Sequence, residues 1–387
     1  MVKKYDIIII GAGASGLWAA RSALMREKKV AILEMCDAPG RKVAISGGGQ
    51  CNITNTAADY TRYFGKNPRF VRSALTALKP ADILNWAESH KLKLYEKTPG
   101  RYFCKNGAVA VVDALMHDAH NASIFWNTNV IGARRQDDLF YIDTSAGVFQ
   151  AGSLIIATGG TSFGSVGVSD GGLKIAKYFG HKIIPVRPAL CAMAFKYFPA
   201  DFAGISTKAE IKIGKNILCD DLLFTHFGIG GPLAYRASLH NITDNIAISL
   251  IPETNLFEIL MSAKQSQGRK KLSTILSEFL PIRVAKWIAG TDDDKNIADL
   301  NKDTIKSVVS QTQNIVIPGA AIKYHNMQSA EVVRGGVATD DISSKTMESK
   351  LCPGLFFAGE VIDIAGDLGG FNLHWAWASG HVAGTHA

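Results

Sequence analysis

An apolar run of β-branched residues near the start of the chain, Tyr5–Ile10, leads directly into a glycine-rich turn. The turn reads Gly-Ala-Gly-Ala-Ser-Gly over Gly11–Gly16, and helical spacing of apolar residues follows it as far as Glu27. A second apolar run, Val30–Leu33, indicates another buried parallel strand. Strand, G-x-G-x-x-G turn, helix and strand in this order predict a βαβ unit that binds a dinucleotide.

The three glycines of this turn have separate physical roles. We expect Gly11 to permit the tight turn, Gly13 to let the backbone approach a pyrophosphate, and Gly16 to allow close packing of helix on strand. Negative charge is favoured there by the helix N-terminus. Glu34 ends the second strand, where its carboxylate can accept hydrogen bonds from adenosine ribose hydroxyls. The predicted ligand-binding residues are Gly11, Ala12, Gly13, Ala14, Ser15, Gly16 and Glu34.

The segment that follows, Gly40–Asn55, is richer in glycine and polar residues than a plain NAD-binding unit requires. It combines three consecutive glycines, an Arg-Lys pair and two asparagines, which favours flexible backbone amides that contact a second stretch of a long ligand. An ordinary surface loop is the alternative interpretation. The predicted ligand contacts are Arg41, Lys42, Ser46, Gly47, Gly48 and Asn52.

Further strands are predicted in the middle of the chain. Ile124–Val130 is a candidate third strand of the sheet, and Ile131–Gln150 alternates polar and apolar residues with two turn breaks, which is typical of a β-meander. Leu154–Ala157 returns to the sheet and ends in small residues, where an open α/β sheet holds its cofactor. A glycine turn without a ligand is the alternative. The predicted ligand contacts are Val130, Thr158, Gly159 and Gly160.

Composition narrows the class of protein. Hydrophobic residues make up 47% and charged residues 20%, without an apolar run long enough to span a bilayer, so we expect a globular, cytoplasmic protein. The cysteines form no C-x-x-C pair and indicate neither a metal site nor a redox dithiol. The net charge of +8 is dispersed, with Arg269–Lys271 as its longest cluster, so we expect a small-molecule substrate rather than nucleic acid. Nothing indicates an oligomeric state.

Six blocks of the sequence together resemble the BaiN/RsdA-like (YhiN-type, aminoacetone-oxidase-like) family of FAD-dependent oxidoreductases. The resemblance covers nearly the whole chain. The chain differs from the usual family pattern in having Gln50 in place of Arg, Cys104 in place of Pro and His374 in place of Gln. The blocks are GAGASG (Gly11–Gly16), GRKVAISGGGQCNITN (Gly40–Asn55), IIATGG (Ile155–Gly160), LLFTHFGIGGP (Leu222–Pro232), AEVVRGGV (Ala330–Val337) and, most specific, GLFFAGEVIDIAGDLGGFNLHWAWASG (Gly354–Gly380).

The resemblance implies FAD as the cofactor and suggests roles for the C-terminal block. Leu355–Ala358 is a buried strand, and in related flavoproteins an acid just after it bonds the ribityl chain, with Glu360 as first candidate and Asp363 as second. A helix then begins at Gly369–Leu373, and its free N–H groups can stabilise the negative charge of a reduced flavin. A tryptophan-rich core helix is the alternative. The predicted cofactor contacts are Gly359, Glu360, Asp363, Gly370, Phe371, Asn372 and Leu373.

Domain organisation follows from a change of pattern beyond Pro188. Strand-like pieces such as Ala209–Ile213 and Ile246–Ile251 come first, and a basic helical segment, Leu256–Ile288, follows. Composition and resemblance both predict an inserted domain over 188–330, β-rich then helical, that covers the substrate side. The fold class expected is α/β, with a Rossmann-like FAD-binding domain of three-layer ββα type with a β-meander over 1–187 and 331–387.

The expected activity is hydride transfer between a small organic substrate and FAD, because the flavin supplies this chemistry and the protein positions and tunes it. His374 and Arg101 are the catalytic candidates, with a hydrogen-bonding spacer and a surface salt bridge to Glu96 as the respective alternatives. The sequence has one glycine fingerprint, which leaves two ways of reducing the flavin: NAD(P)H binds transiently without a Rossmann domain of its own, or the substrate reduces the flavin and oxygen reoxidises it. NAD(P)H is the expected electron donor. An amine oxidase using oxygen, a flavin-dependent RNA-modifying enzyme and a flavin-binding redox sensor are alternative functions.

Overall fold

The computed structural model describes residues 2–164 and 167–387. The chain divides into two compact units, Met1–Pro188 with Met327–Ala387, and Ala189–Asn326. Each unit has its own hydrophobic core. The second unit overlaps the insert expected over 188–330.

The helices and strands of the described residues are numbered here in chain order. The strands are β1 (Lys3–Ile10), β2 (Val30–Leu33), β3 (Asn52–Asn55), β4 (Tyr63–Phe64), β5 (Leu94–Thr98), β6 (Arg101–Cys104), β7 (Ser123–Phe125), β8 (Val130–Gln136), β9 (Leu139–Thr144), β10 (Gly147–Ile156), β11 (Ile183–Ala189), β12 (Met193–Ala194), β13 (Ser206–Ile213), β14 (Asn216–Thr225), β15 (Gly228–Gly230), β16 (Ile246–Ser249), β17 (Ile315–Ile317), β18 (Lys323–Tyr324), β19 (Val332–Val337), β20 (Leu355–Phe357) and β21 (Ala365–Gly366). The helices are α1 (Ala14–Leu24), α2 (Arg41–Gly49), α3 (Arg72–Ala77), α4 (Pro80–Ser89), α5 (Ala108–Asp118), α6 (Gly171–Tyr178), α7 (Gly231–Ser238), α8 (Leu256–Ser266), α9 (Leu272–Leu276), α10 (Ile282–Ala289), α11 (Lys302–Gln313) and α12 (Phe371–His386).

The first unit is built around a mixed sheet with the strand order β7-β2-β1-β10-β9-β8, in which β20 also pairs with β10. The strands β7, β2, β1, β10 and β20 pair in parallel, whereas β8, β9 and β10 form an antiparallel meander. β10 serves both parts, because its first half pairs with β9 and its last residues pair with β20. The predicted βαβ unit and β-meander are therefore confirmed.

Helices α1 and α12 pack against each other through small residues. A Cβ on Gly380 would lie 2.3 Å from the carbonyl oxygen of Ser15, and a Cβ on Gly384 would lie 2.1 Å from that of Ala19. These two glycines lie one turn apart on α12, so they let the two backbones approach more closely than any side chain would allow. The start of α12 is thereby held beside the helix that follows the glycine turn.

Two strand predictions are wrong in their boundaries. The predicted strand Ile124–Val130 is two pieces, because β7 ends at Phe125 and β8 begins at Val130. Asn127 lies between them with a φ of +50°, a left-handed conformation that interrupts a strand. Leu154–Ala157, expected as a strand of its own, overlaps the end of β10, which begins seven residues earlier at Gly147.

Smaller sheets of the first unit surround the start of α12. The strands β3, β6 and β5 form a three-stranded antiparallel sheet. Strand β3 lies against α12, where the indole N–H of Trp377 donates to the carbonyl oxygen of Ile53 at 2.9 Å. This sheet therefore brings residues 52–55 and 101–104 to the first turns of α12.

The second unit combines an antiparallel sheet with helices. Its strand order is β17-β16-β13-β14-β15-β12-β18. Helices α8 to α11 follow in sequence, and their apolar residues, such as Leu260, Leu276 and Val308, are buried in the core of this unit. Throughout the part of the chain that the structure describes, no helix has the length and apolarity needed to cross a membrane.

Candidate functional site

The glycine turn between β1 and α1 presents backbone amides at an open surface. A Cβ on Gly16 would lie 1.9 Å from the carbonyl oxygen of Gly11, so a side chain cannot replace hydrogen there without displacing the turn. A Cβ on Gly13 would meet no described atom within 4 Å. Since no described side chain caps α1, the first N–H groups of the helix are available to an anion. The remaining predicted residues of the turn, Ala12, Ala14 and Ser15, lie between these positions.

Glu34 lies against the start of this turn. Its Oε2 accepts a hydrogen bond from the Ala12 N–H at 2.6 Å, and its Oε1 accepts one from the Cys36 N–H at 2.8 Å. The Thr128 N–H donates to the Glu34 carbonyl oxygen at 2.8 Å, which brings the start of β8 and the predicted contact Val130 to the same edge. The structure thus brings the glycine turn, Glu34 and Val130, all predicted ligand contacts, to one edge of the sheet.

The segment Gly40–Asn55 is more ordered than the flexible loop that its glycines predict. Helix α2 begins at Arg41, beside the side chain of Cys36, and its regular conformation ends at Ser46, whose ψ is 148°. The next three residues are glycines with φ of +58°, +67° and +82°, a region that favours glycine. Cβ atoms on Gly48 and Gly49 would meet no described atom within 4 Å, so this backbone is open to a ligand. Gly49 was not among the predicted residues.

A partly buried network joins Lys42 to Glu360. The Lys42 ammonium donates to Glu360 Oε2 and to Ser162 Oγ, each at 2.8 Å. The N–H of Val333 donates to Glu360 Oε1 at 2.9 Å, and a Cβ on Gly160 would lie 2.7 Å from the Glu360 carboxyl carbon. Ser162 is a residue that the sequence reasoning missed. Its position two residues after Gly160, beyond the same end of β10, is the signal that could have found it.

The two acidic candidates for the ribityl chain differ in their surroundings. Asp363 accepts hydrogen bonds from the backbone N–H groups of Lys66 and Gly335 at 2.9 and 3.1 Å. It is buried, and burial raises the pKa of its carboxyl group. The side chain of Glu360 is 18% exposed, lies against Gly160 after β10, and is less completely enclosed than that of Asp363. Asp363 therefore has a structural task, and Glu360 is the better candidate for a ligand.

Two buried polar atoms of the predicted set have no hydrogen-bond partner among the described residues. They are Thr158 Oγ1 and Asn52 Oδ1. A buried polar atom without a partner is costly, so an additional donor or acceptor is expected at each position. Gly159, next to Thr158, has a φ of +72°, and its Cβ would meet no described atom within 4 Å. Asn52 lies beside Gly370, where a Cβ would be 2.8 Å from its Oδ1.

The first turn of α12 is bare of capping side chains. Gly370 precedes the helix with a φ of +95°, and no described side chain accepts from its first N–H groups. Asn372 instead bonds the backbone of Gly366, accepting at 2.7 Å and donating at 2.9 Å. Phe371 is buried and Leu373 is half-buried. Gly359 lies close to Ser15 at the start of α1, so the bare starts of both helices belong to this unit.

Arg101 begins β6 and packs against Gly369, immediately before α12. A Cβ on Gly369 would lie 2.5 Å from the Arg101 Nε. Glu96, the alternative salt-bridge partner, accepts instead from the Gly100 N–H at 2.6 Å. Across the residues described, Arg101 forms no ion pair, so a half-buried guanidinium remains available beside the bare helix start.

His374 lies in the interior of the unit. Its Nε2 is 3.1 Å from the Leu78 carbonyl oxygen, which only accepts, so Nε2 carries the proton. Nδ1 then accepts from the Thr54 hydroxyl at 2.7 Å. Burial lowers the pKa of the imidazole to about 4. These contacts favour the hydrogen-bonding spacer over the acid or base role.

A separate cluster brings His90, His117 and Asp118 within metal-ligand distance of one another. Asp118, however, already accepts from the Arg21 guanidinium and the Trp86 indole N–H, both at 2.8 Å. A guanidinium bound to the carboxylate opposes a second cation there. The contacts of this cluster are therefore explained by ion pairs and hydrogen bonds, and we assign no metal ion to it.

Together these features fit a long dinucleotide in the first unit. Backbone open to a ligand occurs at Gly13, Gly48 and Gly159, two helix starts lack caps among the described residues, and two buried polar atoms lack partners. Bound FAD would be held at its pyrophosphate by the glycine turn and at its ring by the start of α12.

Comparison with known proteins agrees with this geometry. A model of the HI0933-like protein Rossmann domain matches residues 5–386. The chain belongs to this family. It is an FAD-dependent oxidoreductase, as expected from the sequence.

Three relatives are similar over nearly their whole length. The ribosomal RNA dihydrouridine synthase of Haemophilus influenzae is 36% identical over 390 residues, with 97% of this chain and 96% of that protein covered. The Escherichia coli protein of the same name is 32% identical over 389 residues, with 98% and 96% covered. The 3-dehydro-bile acid delta(4,6)-reductase of Clostridium scindens is 30% identical over 410 residues, with 98% of each covered.

Solved structures with a similar fold have low sequence identity to this chain. One of them is the 3-ketosteroid-delta4-(5alpha)-dehydrogenase from Rhodococcus jostii RHA1 in complex with 4-androstene-3,17-dione. The TM-score is 0.50 at 13% identity, with 99% of this chain and 96% of that chain covered. At this identity the similarity concerns the fold alone.

Proposed function

We propose that this chain reduces the C5=C6 bond of a uridine in ribosomal RNA to give dihydrouridine, with NAD(P)H as electron donor. The observation that carries the proposal is the pair of relatives with that named activity, at 36% and 32% identity, aligned over 96% of their length. This choice replaces the small-molecule substrate expected from the sequence.

The kind of reaction is supported by the third relative as well. A dihydrouridine synthase and a delta(4,6)-reductase are both named for adding hydrogen to a carbon–carbon double bond. This favours a reductase over the amine oxidase that the sequence left open. In uridine, the C5=C6 bond is conjugated to the C4 carbonyl group, so negative charge developing during hydride addition is delocalised onto an oxygen.

The reaction balances as uridine, NAD(P)H and a proton giving dihydrouridine and NAD(P)⁺. Bound FAD supplies the hydride chemistry. A hydride adds to C6, the electron pair of the double bond moves toward the C4 oxygen, and a solvent proton adds to C5.

The chain's own residues have separate tasks in this proposal. The Arg101 guanidinium, which has no ion-pair partner among the described residues, stabilises the charge that develops on the uracil carbonyl oxygen. The bare first turn of α12 would lie at the ring of bound FAD and favour negative charge there. Glu360, held by Lys42 and Val333, would accept hydrogen bonds from the ribityl hydroxyls of bound FAD.

The charge of the chain suits a polyanionic substrate. Its formal net charge is +8 and its pI is about 9.0. Basic surface supplies most of the affinity of proteins for nucleic acid, because phosphate contacts release counterions.

Direct measurement of the product tests the proposal. The purified holoenzyme is incubated with NADH or NADPH and ribosomal RNA transcribed in vitro, and the digested RNA is analysed for dihydrouridine by mass spectrometry. We expect enzyme-dependent and donor-dependent dihydrouridine. RNA that stays unmodified, while a 3-keto-4-ene steroid is reduced, would reassign the substrate to small enones. Flavin reduction by amines but by neither nicotinamide would support the oxidase.

A further inference from the structure

Positive charge is concentrated in one segment of the first unit, Tyr60–Lys105. The segment has three acidic residues, Asp82, Glu88 and Glu96, and a net charge of +7, compared with +8 for the whole chain. Its ten basic residues are Arg62, Lys66, Arg69, Arg72, Lys79, Lys91, Lys93, Lys97, Arg101 and Lys105. The expectation that charge is dispersed is therefore wrong for this part of the chain.

Within the segment, four polar side chains share one helical face, called here the Arg69 face. Arg69, Arg72, Ser73 and Thr76 line one open depression. Their spacing of three and four residues, along the 3-10 turn Pro68–Val71 and α3, puts them on the same side of a continuous helical stretch. Their apolar neighbours point inward and are buried: Phe70, Val71, Ala74 and Leu75.

The cations of the Arg69 face are available to a ligand. Both arginines are exposed, and neither forms an ion pair among the described residues. The Arg72 guanidinium lies 5.3 Å from the centroid of the Tyr60 ring. The nearby carboxylate of Asp59 accepts from the N–H and hydroxyl groups of Thr61, at 3.0 and 2.8 Å. The Thr76 hydroxyl donates to the Arg72 carbonyl oxygen at 2.9 Å. The two guanidinium groups and the Ser73 hydroxyl on this face form a donor set suited to phosphate oxygens.

The same stretch packs against the helix whose start forms the candidate flavin site. The Phe70 and Trp375 ring centroids are 6.2 Å apart, and the Leu78 carbonyl oxygen accepts from His374. The Arg69 face and the start of α12 therefore belong to one packed assembly in the first unit. A nucleic acid whose base enters the site has backbone phosphates on both sides of that base, within reach of neighbouring surface.

We infer that the Arg69 face binds the phosphate backbone of the RNA substrate. The inference rests on the proposed function, since it names the surface by which that substrate is held. Contacts to phosphate position an RNA without reading its bases, so the Arg69 face should contribute affinity rather than chemistry.

The test compares two double variants with the same change of charge. The first is Arg69→Gln with Arg72→Gln, and the control is Arg269→Gln with Lys271→Gln, which removes two exposed cations of the insert. The affinity of each holoenzyme for ribosomal RNA transcribed in vitro is measured by fluorescence anisotropy at several salt concentrations. Dihydrouridine formation is measured in parallel at low and saturating RNA.

For the Arg69-face variant we expect a loss of RNA affinity of about 10-fold and a salt slope reduced by roughly 1.4 to 1.8, from two lost phosphate contacts. KM for RNA should rise while kcat and FAD content stay at wild-type values. An Arg69→Lys, Arg72→Lys variant should recover most of the salt slope. The control should match wild type.

Three outcomes would overturn the inference. Wild-type affinity and salt slope in the Arg69-face variant, with dihydrouridine still formed, would reject this surface and leave the proposed function intact. A loss confined to the Arg269/Lys271 control would assign the RNA to the insert. If the wild-type chain neither binds nor modifies RNA, but binds vesicles of anionic phospholipid through this face, the proposed function fails and the face belongs to lipid headgroups.

Discussion

The two ends of the candidate flavin site differ in how far apart along the chain their hydrogen-bond partners lie. At the nucleotide end, Glu34 bonds the glycine turn that precedes it by 22 residues. At the ring end, the Asn55 amide donates to the carbonyl oxygen of Gly369, which is 314 residues further along the chain. The glycine turn and Glu34 of the nucleotide end thus lie within one βαβ unit, whereas the ring end forms when distant segments meet. Substitutions at the first should change cofactor retention, and substitutions at the second should change turnover.

The largest effect is expected from Gly16→Ala at the nucleotide end. The new Cβ would lie 1.9 Å from a backbone oxygen, so we expect the free energy of unfolding to fall by about 1–3 kcal/mol and FAD to be lost. Gly13→Ala is the matched control, because φ is −81° there and its Cβ meets no described atom. In urea unfolding, the Gly13→Ala apoprotein should have the same free energy of unfolding as the wild-type apoprotein. Only its affinity for FAD should fall. Equal stability of both apoproteins would contradict the packing role of Gly16.

At the ring end, Arg101→Gln should slow the reaction and leave FAD in place. Losing the guanidinium beside Gly369 should lower the rate of flavin reoxidation by RNA by about 10-fold to 100-fold. Lys97→Gln removes a cation from the same hairpin and serves as the control. Stopped-flow absorbance and the flavin-to-protein ratio separate the two effects. Loss of FAD from the Arg101 variant would show that residues at the ring end also hold FAD in the protein.

Glu34→Gln should weaken FAD binding by about 10-fold, since an amide replaces one of two oxygens that accept backbone N–H groups. Isothermal titration of the apoprotein with FAD measures this. Asp37→Asn, an exposed neighbour, is the control and should bind FAD as wild type does. An unchanged affinity in the Glu34 variant would make its carboxylate purely structural.

The effect expected from His374→Gln depends on pH and is the smallest of these effects near neutral pH. Burial holds the pKa of His374 at about 4, so the unfolded chain takes up a proton below about pH 6.5 that the folded chain does not. This histidine therefore costs stability as pH falls from about 6.5 toward 4, roughly 2 kcal/mol by pH 5. The variant should lose less Tm than wild type between pH 7 and pH 5. A changed pH profile of kcat would instead restore a proton-transfer role.

The nucleotide end could be predicted from the sequence because its determinants are local. Strand period, glycine spacing and an acid at the end of the next strand all lie within Tyr5–Glu34. The meander was predictable for the same reason, since alternation and turn residues are read within a short window.

The ring end was less predictable because its geometry depends on distant partners. The side chain of His374 offers no sign in sequence that Thr54 and Leu78 will enclose it. Likewise, the glycines of Gly40–Asn55 suggested a flexible loop, although three left-handed residues in succession define its path. The concentration of charge in Tyr60–Lys105 was visible in sequence, but only the structure shows which cations share a helical face.

The most direct test of the account is a single-turnover experiment without oxygen. The holoenzyme is reduced with NADPH, freed of excess donor and mixed with ribosomal RNA transcribed in vitro, while the flavin band near ~450 nm is followed. We predict that the oxidised band returns with one dihydrouridine formed per flavin reoxidised. A flavin that stays reduced with RNA, but is reoxidised by a small enone, would contradict the assignment of RNA as substrate.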